Sequence, residues 1–392
     1  MRKNRPVFST PRLITGKGVE GMKGMKVLAL TLVAGAVALF AGGAFAFHDG
    51  GVAHCNGCHT MHNSQDGALV DGDSPNGNPW LLIDATPSDV CLSCHATRLG
   101  AVFAVDVKNP AREIGGGNFI FLLEDNLNDG HGGGDLNDPN DPNSGWADAI
   151  PGDAAGHNLN APGYGLSADV TLSTAPGGTF PGALMGCSSC HDPHGADTFR
   201  LLYGAGRLVQ DFYTFTNEAP DAVGTSIFGG PPESNSYHTA YNGDGPGTNT
   251  MSAWCGNCHG NFHNNNTQLI HPSGSTMKAS VAGTYNLYNG TMDQLGAPAA
   301  PYLAAVPFED PSVTTSSTTG PSASSLVSCV SCHRAHATSA PDAGRWDFSV
   351  TLLVEDGVES GSYAIPNPYP SDNQRSLCNK CHNKDAYDHN PF

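Results

Sequence analysis

The twelve cysteines of this chain stand in six copies of one pentapeptide, C-x-x-C-H. They are Cys55-Asn-Gly-Cys58-His59, Cys91-Leu-Ser-Cys94-His95, Cys187-Ser-Ser-Cys190-His191, Cys255-Gly-Asn-Cys258-His259, Cys329-Val-Ser-Cys332-His333 and Cys378-Asn-Lys-Cys381-His382. Two thiols at this spacing can form thioethers to both vinyl groups of one porphyrin, and the histidine that follows then lies under the iron. The chemistry implied is six covalently bound haems c, with His59, His95, His191, His259, His333 and His382 as proximal ligands. A zinc ribbon needs two C-x-x-C pairs per metal and has no use for a histidine after each. A disulfide framework leaves that position unconstrained. Histidine is 17 of 392 residues, so six chance placements against the motif have odds on the order of one in 10⁸.

Six irons with histidine on both faces need six more imidazoles, and eleven other histidines are present. Three motifs extend to C-x-x-C-H-x-x-H, adding His62, His194 and His336, and His263 follows His259 by four residues. On a helical turn such a residue projects to the same side as the first histidine, so it is expected to serve an adjacent haem and not the opposite face of its own. His157 in Gly156-His157-Asn158 and His271 before Pro272 lie in loops between motifs and complete the set of distal candidates, with His48 a seventh. His54, His131, His238 and His389 are expected to face solvent. The acidic stretch from Asp125 to Asp141 has Leu127 where a calcium loop wants oxygen, and is expected to be a solvated loop.

The elements that must hold these residues are slight. Glycine and proline together make 77 of 392 residues, and segments such as 126–165 are nearly pure turn material. Such a chain cannot bury a conventional core from helix and sheet alone, but porphyrins are large apolar plates worth roughly 25 cal/mol per Å² buried. The expected fold class is mostly coil with short α-helices around the motifs and few strands, in one haem-stacked domain. Motif spacing is uneven, and the motifs are expected to share little beyond the pentapeptide.

Residues 1–46 read as a signal peptide: seven basic residues, an apolar run from Val27 to Phe40, and Ala44-Phe45-Ala46 as a small-x-small cleavage site. Met22 or Met25 could equally be the true start. The cytochrome domain is then 47–392, secreted through the periplasm, with no membrane span in the mature chain. Removal of 1–46 takes away seven basic and one acidic residue, moving the formal net charge from −18 to −24. That argues against nucleic acid, which needs a basic face, and favours contact with cationic or metal-bearing surfaces. Motifs lie near both ends of the mature chain, an arrangement suited to passing electrons through the protein to a neighbour. All six keep histidine and no C-x-x-C-K occurs, so the expectation is an electron carrier and not an enzyme. The alternatives are a monomeric periplasmic electron shuttle and a multihaem nitrite-type reductase.

Several segments resemble the hexahaem outer-surface c-type cytochrome S family, the extracellular cytochrome nanowires of metal-reducing bacteria. They are Phe47-His-x-Gly-Gly-Val-Ala, Cys58-His-Thr-Met-His-Asn-Ser, Thr174-Ala-Pro-Gly-Gly-Thr, Met251-Ser-x-Trp-Cys-x-Asn-Cys-His, Pro307-Phe-Glu and the third, fifth and sixth motifs with their flanks. The resemblance runs from Phe47 to the C-terminus and is poor over 96–156 and 198–250. It implies bis-histidine ligation at all six haems, stacking in parallel and perpendicular pairs, and polymerisation into filaments. It implies further that His62 ligates the fifth haem of an adjacent subunit. The partners it implies are further copies of the chain, other multihaem cytochromes and extracellular metal oxides.

Overall fold

In the first described stretch, Asp66 and Gly67 both take positive φ, 51° and 84°. Two such residues make a turn whose twist suits a tight hairpin, here joining β1 (Ser64–Gln65) to β2 (Ala68–Leu69) with Ser64 opposite Leu69. The computed structural model describes residues 55–96, 102–103, 116–126, 155–196, 198–220, 238–240, 249–264, 273–290, 301–303, 305–310, 319–338, 340–348, 350–355 and 375–382. All of these fall within one compact unit.

Among the described residues the α-helices are α1 (Pro87–His95), α2 (Met251–Cys255), α3 (Gly260–Asn264) and α4 (Lys278–Leu287). Threonine begins the two that lead into haem motifs. Thr86 Oγ1 accepts the Asp89 N–H at 3.1 Å and Thr250 Oγ1 the Ala253 N–H at 3.0 Å, each satisfying a donor that a helix start leaves unpaired. The remaining strands are β3 (Leu208–Val209) antiparallel to β4 (Tyr213–Thr214), and β5 (His238–Ala240) parallel to β6 (Phe308–Asp310). The rest is short 3₁₀ turns and coil, as the composition led one to expect.

Apolar side chains gather in three small clusters, each touching motif cysteines. Phe119, Ile120, Leu159 and Leu166 pack beside Cys187. Phe180, Val209, Phe215 and Trp254 pack beside Cys190, Cys255 and Cys258. Tyr285, Tyr288, Phe308 and Trp346 pack beside Cys332, Cys378 and Cys381. The side-chain core is thus divided into parcels around the attachment points. Among the described residues no helix is long and apolar enough to cross a membrane.

Candidate haem-binding sites

In each motif that has a described 3₁₀ or α turn, the chain folds the same way. The N–H of the histidine donates to the carbonyl of the first cysteine: His59 to Cys55 at 2.8 Å, His191 to Cys187 at 3.0 Å, His259 to Cys255 at 2.9 Å, His333 to Cys329 at 3.0 Å and His382 to Cys378 at 3.0 Å. The second motif lies within α1. One turn therefore sets two thiols and an imidazole on a common side. All twelve cysteines are free of disulfides.

The proximal rings are oriented by backbone carbonyls. His59 Nδ1 donates to Trp80 O at 2.9 Å, His191 Nδ1 to Arg200 O at 2.7 Å, His259 Nδ1 to Pro176 O at 2.8 Å and His333 Nδ1 to Asp342 O at 2.8 Å. A carbonyl can only accept, so the proton sits on Nδ1 and the lone pair on Nε2, the tautomer a metal ligand needs.

Motifs 1, 3 and 5 obtain that carbonyl by one device. After each, the chain returns through two consecutive residues of positive φ: Trp80 and Leu81 (53° and 58°), Arg200 and Leu201 (54° and 58°), Asp342 and Ala343 (57° and 54°). The first of each pair presents its carbonyl to the ring. The second accepts the N–H of the residue after the histidine: Thr60 to Leu81 O at 2.7 Å, Asp192 to Leu201 O at 2.8 Å, Arg334 to Ala343 O at 2.9 Å. Non-glycine residues in this region cost on the order of 1 kcal/mol each, so strain is placed where it aims the ligand. The motifs accordingly share more than the pentapeptide. The three return segments, Pro79-Trp-Leu-Leu, Phe199-Arg-Leu-Leu and Pro341-Asp-Ala-Gly, have no residue common to all at any position, so a sequence comparison has nothing to align.

Three imidazole pairs lie with their ring centres 5.9–6.4 Å apart. His59 and His194 have ring centres 6.2 Å apart and nearly parallel planes, at 10°. His157 and His259 are 5.9 Å apart at 40°, and His191 and His336 are 6.4 Å apart at 63°. Two imidazoles bound through nitrogen at about 2 Å to opposite faces of one metal hold their ring centres roughly 6 Å apart. Each pair joins a proximal histidine to a distal candidate, so the residues present fit an iron with imidazole on both faces. Phe119 stacks on His336 at 4.5 Å and steadies that ring. His157 Nδ1 donates to Ala335 O at 2.6 Å. Gly156 permits this approach, since a Cβ there would sit 2.1 Å from His336 O.

Electrostatics agree with ligation. Burial, reinforced by His191, pulls His336 down to about 3; burial, with His157, pulls His259 down to about 4; burial lowers His157 too. All three are neutral imidazoles at pH 7, the form that binds metal, although each keeps part of its surface open. Desolvation raises the Cys258, Cys332 and Cys381 thiols to about 12.

Different motifs also meet. The Cys187 N–H donates to Ser88 of α1 at 3.2 Å, and the Cys329 N–H to Ser252 of α2 at 3.3 Å. The second motif therefore abuts the third, and the fourth abuts the fifth. In the sixth, Lys380 is fully buried, its ammonium 4.2 Å from the Tyr285 ring centre. It donates to the carbonyls of Pro301 at 2.8 Å and Tyr285 at 3.0 Å.

Of the other expectations, His62 borders a small cavity with Thr60, Met61 and Asn78. His263 lies in α3 and His238 in β5, with side chains outside the described set. His48, His54, His131, His271, His389 and most of the acidic stretch fall outside the described residues. Sequence reasoning missed the roles of Ser88, Ser252 and Glu309. A signal existed for the serines: Thr86-x-Ser88-x-x-Cys91-x-x-Cys94-His95 and Thr250-x-Ser252-x-x-Cys255-x-x-Cys258-His259 repeat one spacing.

No family model matches the chain. The C-type cytochrome OmcS of Geobacter sulfurreducens is 32% identical over 93% of this chain and its own whole length. Two solved structures, described as OmcS nanowires and as an outer membrane cytochrome S filament from the same organism, superpose with TM-scores of 0.66 and 0.65. Their identities are 28% and 30%, over 86% of this chain and all of theirs. With its C-x-x-C-H pentapeptides folded as tight turns, four of their histidine rings bonded to backbone carbonyls and its likeness to OmcS over that relative's full length, the chain belongs to the OmcS family of c-type cytochromes.

Proposed function

We propose that the chain binds six haems c, one per motif and each between two imidazoles, and conducts electrons outside the cell as a homopolymeric filament. The observation that carries this reading is the set of three imidazole pairs with ring centres 5.9–6.4 Å apart, each joining a motif histidine to a distal candidate. When bound, each c-type haem supplies a one-electron iron couple. The chain's own residues then do three things. The cysteines fix each group covalently, the carbonyls of Trp80, Arg200, Pro176 and Asp342 hold the proximal rings in the ligating tautomer, and distal imidazoles close the second face. A site closed on both faces leaves no open position for a substrate, so the work is transfer and not catalysis.

The pairs tie one motif to another. His336, beyond motif 5, pairs with His191 of motif 3; His194, beyond motif 3, pairs with His59 of motif 1. The family resemblance implies that His62, beyond motif 1, ligates the haem of motif 5 in an adjacent copy. His263, His271 and His48 remain for motifs 2 and 6. The net charge of −24 without residues 1–46 suits an extracellular filament that meets metal oxides or other multihaem cytochromes.

Two measurements on secreted protein test this. Negative-stain microscopy is expected to show filaments, and only compact particles would favour a monomeric shuttle. Carbon monoxide added to the reduced protein is expected to change the absorption spectrum hardly at all, whereas stoichiometric binding at one iron would favour a reductase.

A further inference from the structure

The two helical motifs share a buried serine that reaches out of its own motif. Ser88, on α1, is 2% exposed and its Oγ accepts the N–H of Cys187 at 3.2 Å. Ser252, on α2, is fully buried and its Oγ accepts the N–H of Cys329 at 3.3 Å. In both cases the target is the first cysteine of the next motif, 99 and 77 residues along the chain.

The receiving turns are built alike as well. Ser189 Oγ accepts the Gly186 N–H at 3.0 Å and donates to Leu184 O at 3.0 Å. Ser331 Oγ accepts the Ser328 N–H at 3.1 Å and donates to Pro307 O at 2.5 Å. A hydroxyl that merely filled a buried space would not be needed at the same spacing, on the same atoms, at two places so distant in sequence.

We propose that Ser88 and Ser252 are positioning residues for electron passage between haems, each latching the first cysteine of the following motif to the helix of the preceding one. The latch holds two attachment points from neighbouring haems together and so sets the separation and tilt of the pair. This rests on the haem reading above. Electron transfer is steep in distance and orientation, so a junction left to two thioethers in coil would drift, while a hydrogen bond at each cysteine N–H removes that freedom.

The test uses the assembled, secreted protein as wild type, Ser252→Ala, Ser88→Ala, the double variant, and Ser252→Thr, which restores a hydroxyl. Intact mass counts the attached haems. The circular dichroism couplet in the Soret band reads the geometry between neighbouring porphyrins, and single-filament conductance reads passage. The expected result is six groups in every variant, with a weaker couplet and lower conductance in each alanine variant. Losses in the double variant should add, because the sites share no partner, and threonine should return the signal toward wild type. Six groups with unchanged couplet and conductance in both alanine variants would overturn the latch and leave the haem reading standing. A threonine variant as impaired as alanine would likewise overturn it. Absence of attached haem from the wild type would overturn both.

Discussion

Where the second motif meets the third, Ser88 reaches a cysteine preceded by glycine, Gly186-Cys187. Where the fourth meets the fifth, Ser252 reaches Ser328-Cys329, and a carboxyl joins the contact. Glu309 is fully buried and its Oε1 accepts from Ser252 N at 3.0 Å, Ser252 Oγ at 3.1 Å and Ser328 Oγ at 2.5 Å. The first junction also holds a buried carboxyl, Asp89. It is turned to its own surroundings, accepting from Thr86 Oγ1 at 2.7 Å and from Gly163 N at 3.0 Å. The difference teaches that the serine and the cysteine N–H are the common part, while the carboxyl is a local reinforcement that binds both motifs at one junction only.

If so, the largest effect comes from removing Glu309. Glu309→Ala strips three donors of their buried acceptor and is expected to cost roughly 2–4 kcal/mol, read by denaturant unfolding followed in the Soret band. Ser88→Ala, at the plainer junction, is expected to cost about 1 kcal/mol in the same assay. Equal losses would mean that the carboxyl does not reinforce its junction.

The pH dependence sharpens the contrast. Burial raises the Glu309 carboxyl from 4.5 to about 8, against hydroxyls and an amide that pull the other way. A carboxyl raised in the folded state holds its proton more tightly there than in the unfolded chain. Its contribution is therefore fully present below about pH 4.5 and drains away as pH rises to about 8, an effect of at most about 5 kcal/mol. Wild type should lose stability across that window, and Glu309→Gln should lose measurably less. Parallel curves would show that another group is responsible.

Exchanging the residue before the cysteine gives a smaller effect. A Cβ at Gly186 would sit 2.9 Å from Ser88 Oγ, so Gly186→Ser is expected to cost about 1–2 kcal/mol through crowding. Ser328→Gly removes one donor to Glu309 and is expected to cost about 1 kcal/mol. Thermal unfolding of the two variants checks the order. Smallest of all is the ion pair beside the third motif, where Arg207, 57% exposed, meets the buried Asp192. Arg207→Ala should change stability by less than about 1 kcal/mol, and the change should shrink further in high salt.

The parts of this architecture that were legible in the sequence are those with a local cause. Thioether chemistry demands two closely spaced cysteines and a histidine, so each C-x-x-C-H motif could be read directly. Glycine and proline content forecast coil, and short threonine-capped helices at two motifs agree with it. His194 and His336 stood out because each lies three positions after the histidine of a motif. What stayed hidden depends on residues remote in sequence. His157 is held by Ala335, 178 residues away, and the pairing of each ring with its opposite follows from such contacts. The return turns at Trp80, Arg200 and Asp342 act through backbone carbonyls, which any residue supplies, so no side chain is common to all three. Glu309 entered only through the Pro307-Phe-Glu segment of the resemblance and its role stayed hidden, because a lone glutamate looks solvated until Ser252 and Ser328 are brought to it.

The most direct test of the account is a density map of the assembled protein that resolves both faces of each iron. The account predicts six porphyrins, with His59 and His194, His157 and His259, and His191 and His336 as opposed ligands on three of them. An iron with one face open, or a porphyrin lying outside those ring pairs while the rings meet each other directly, would contradict it.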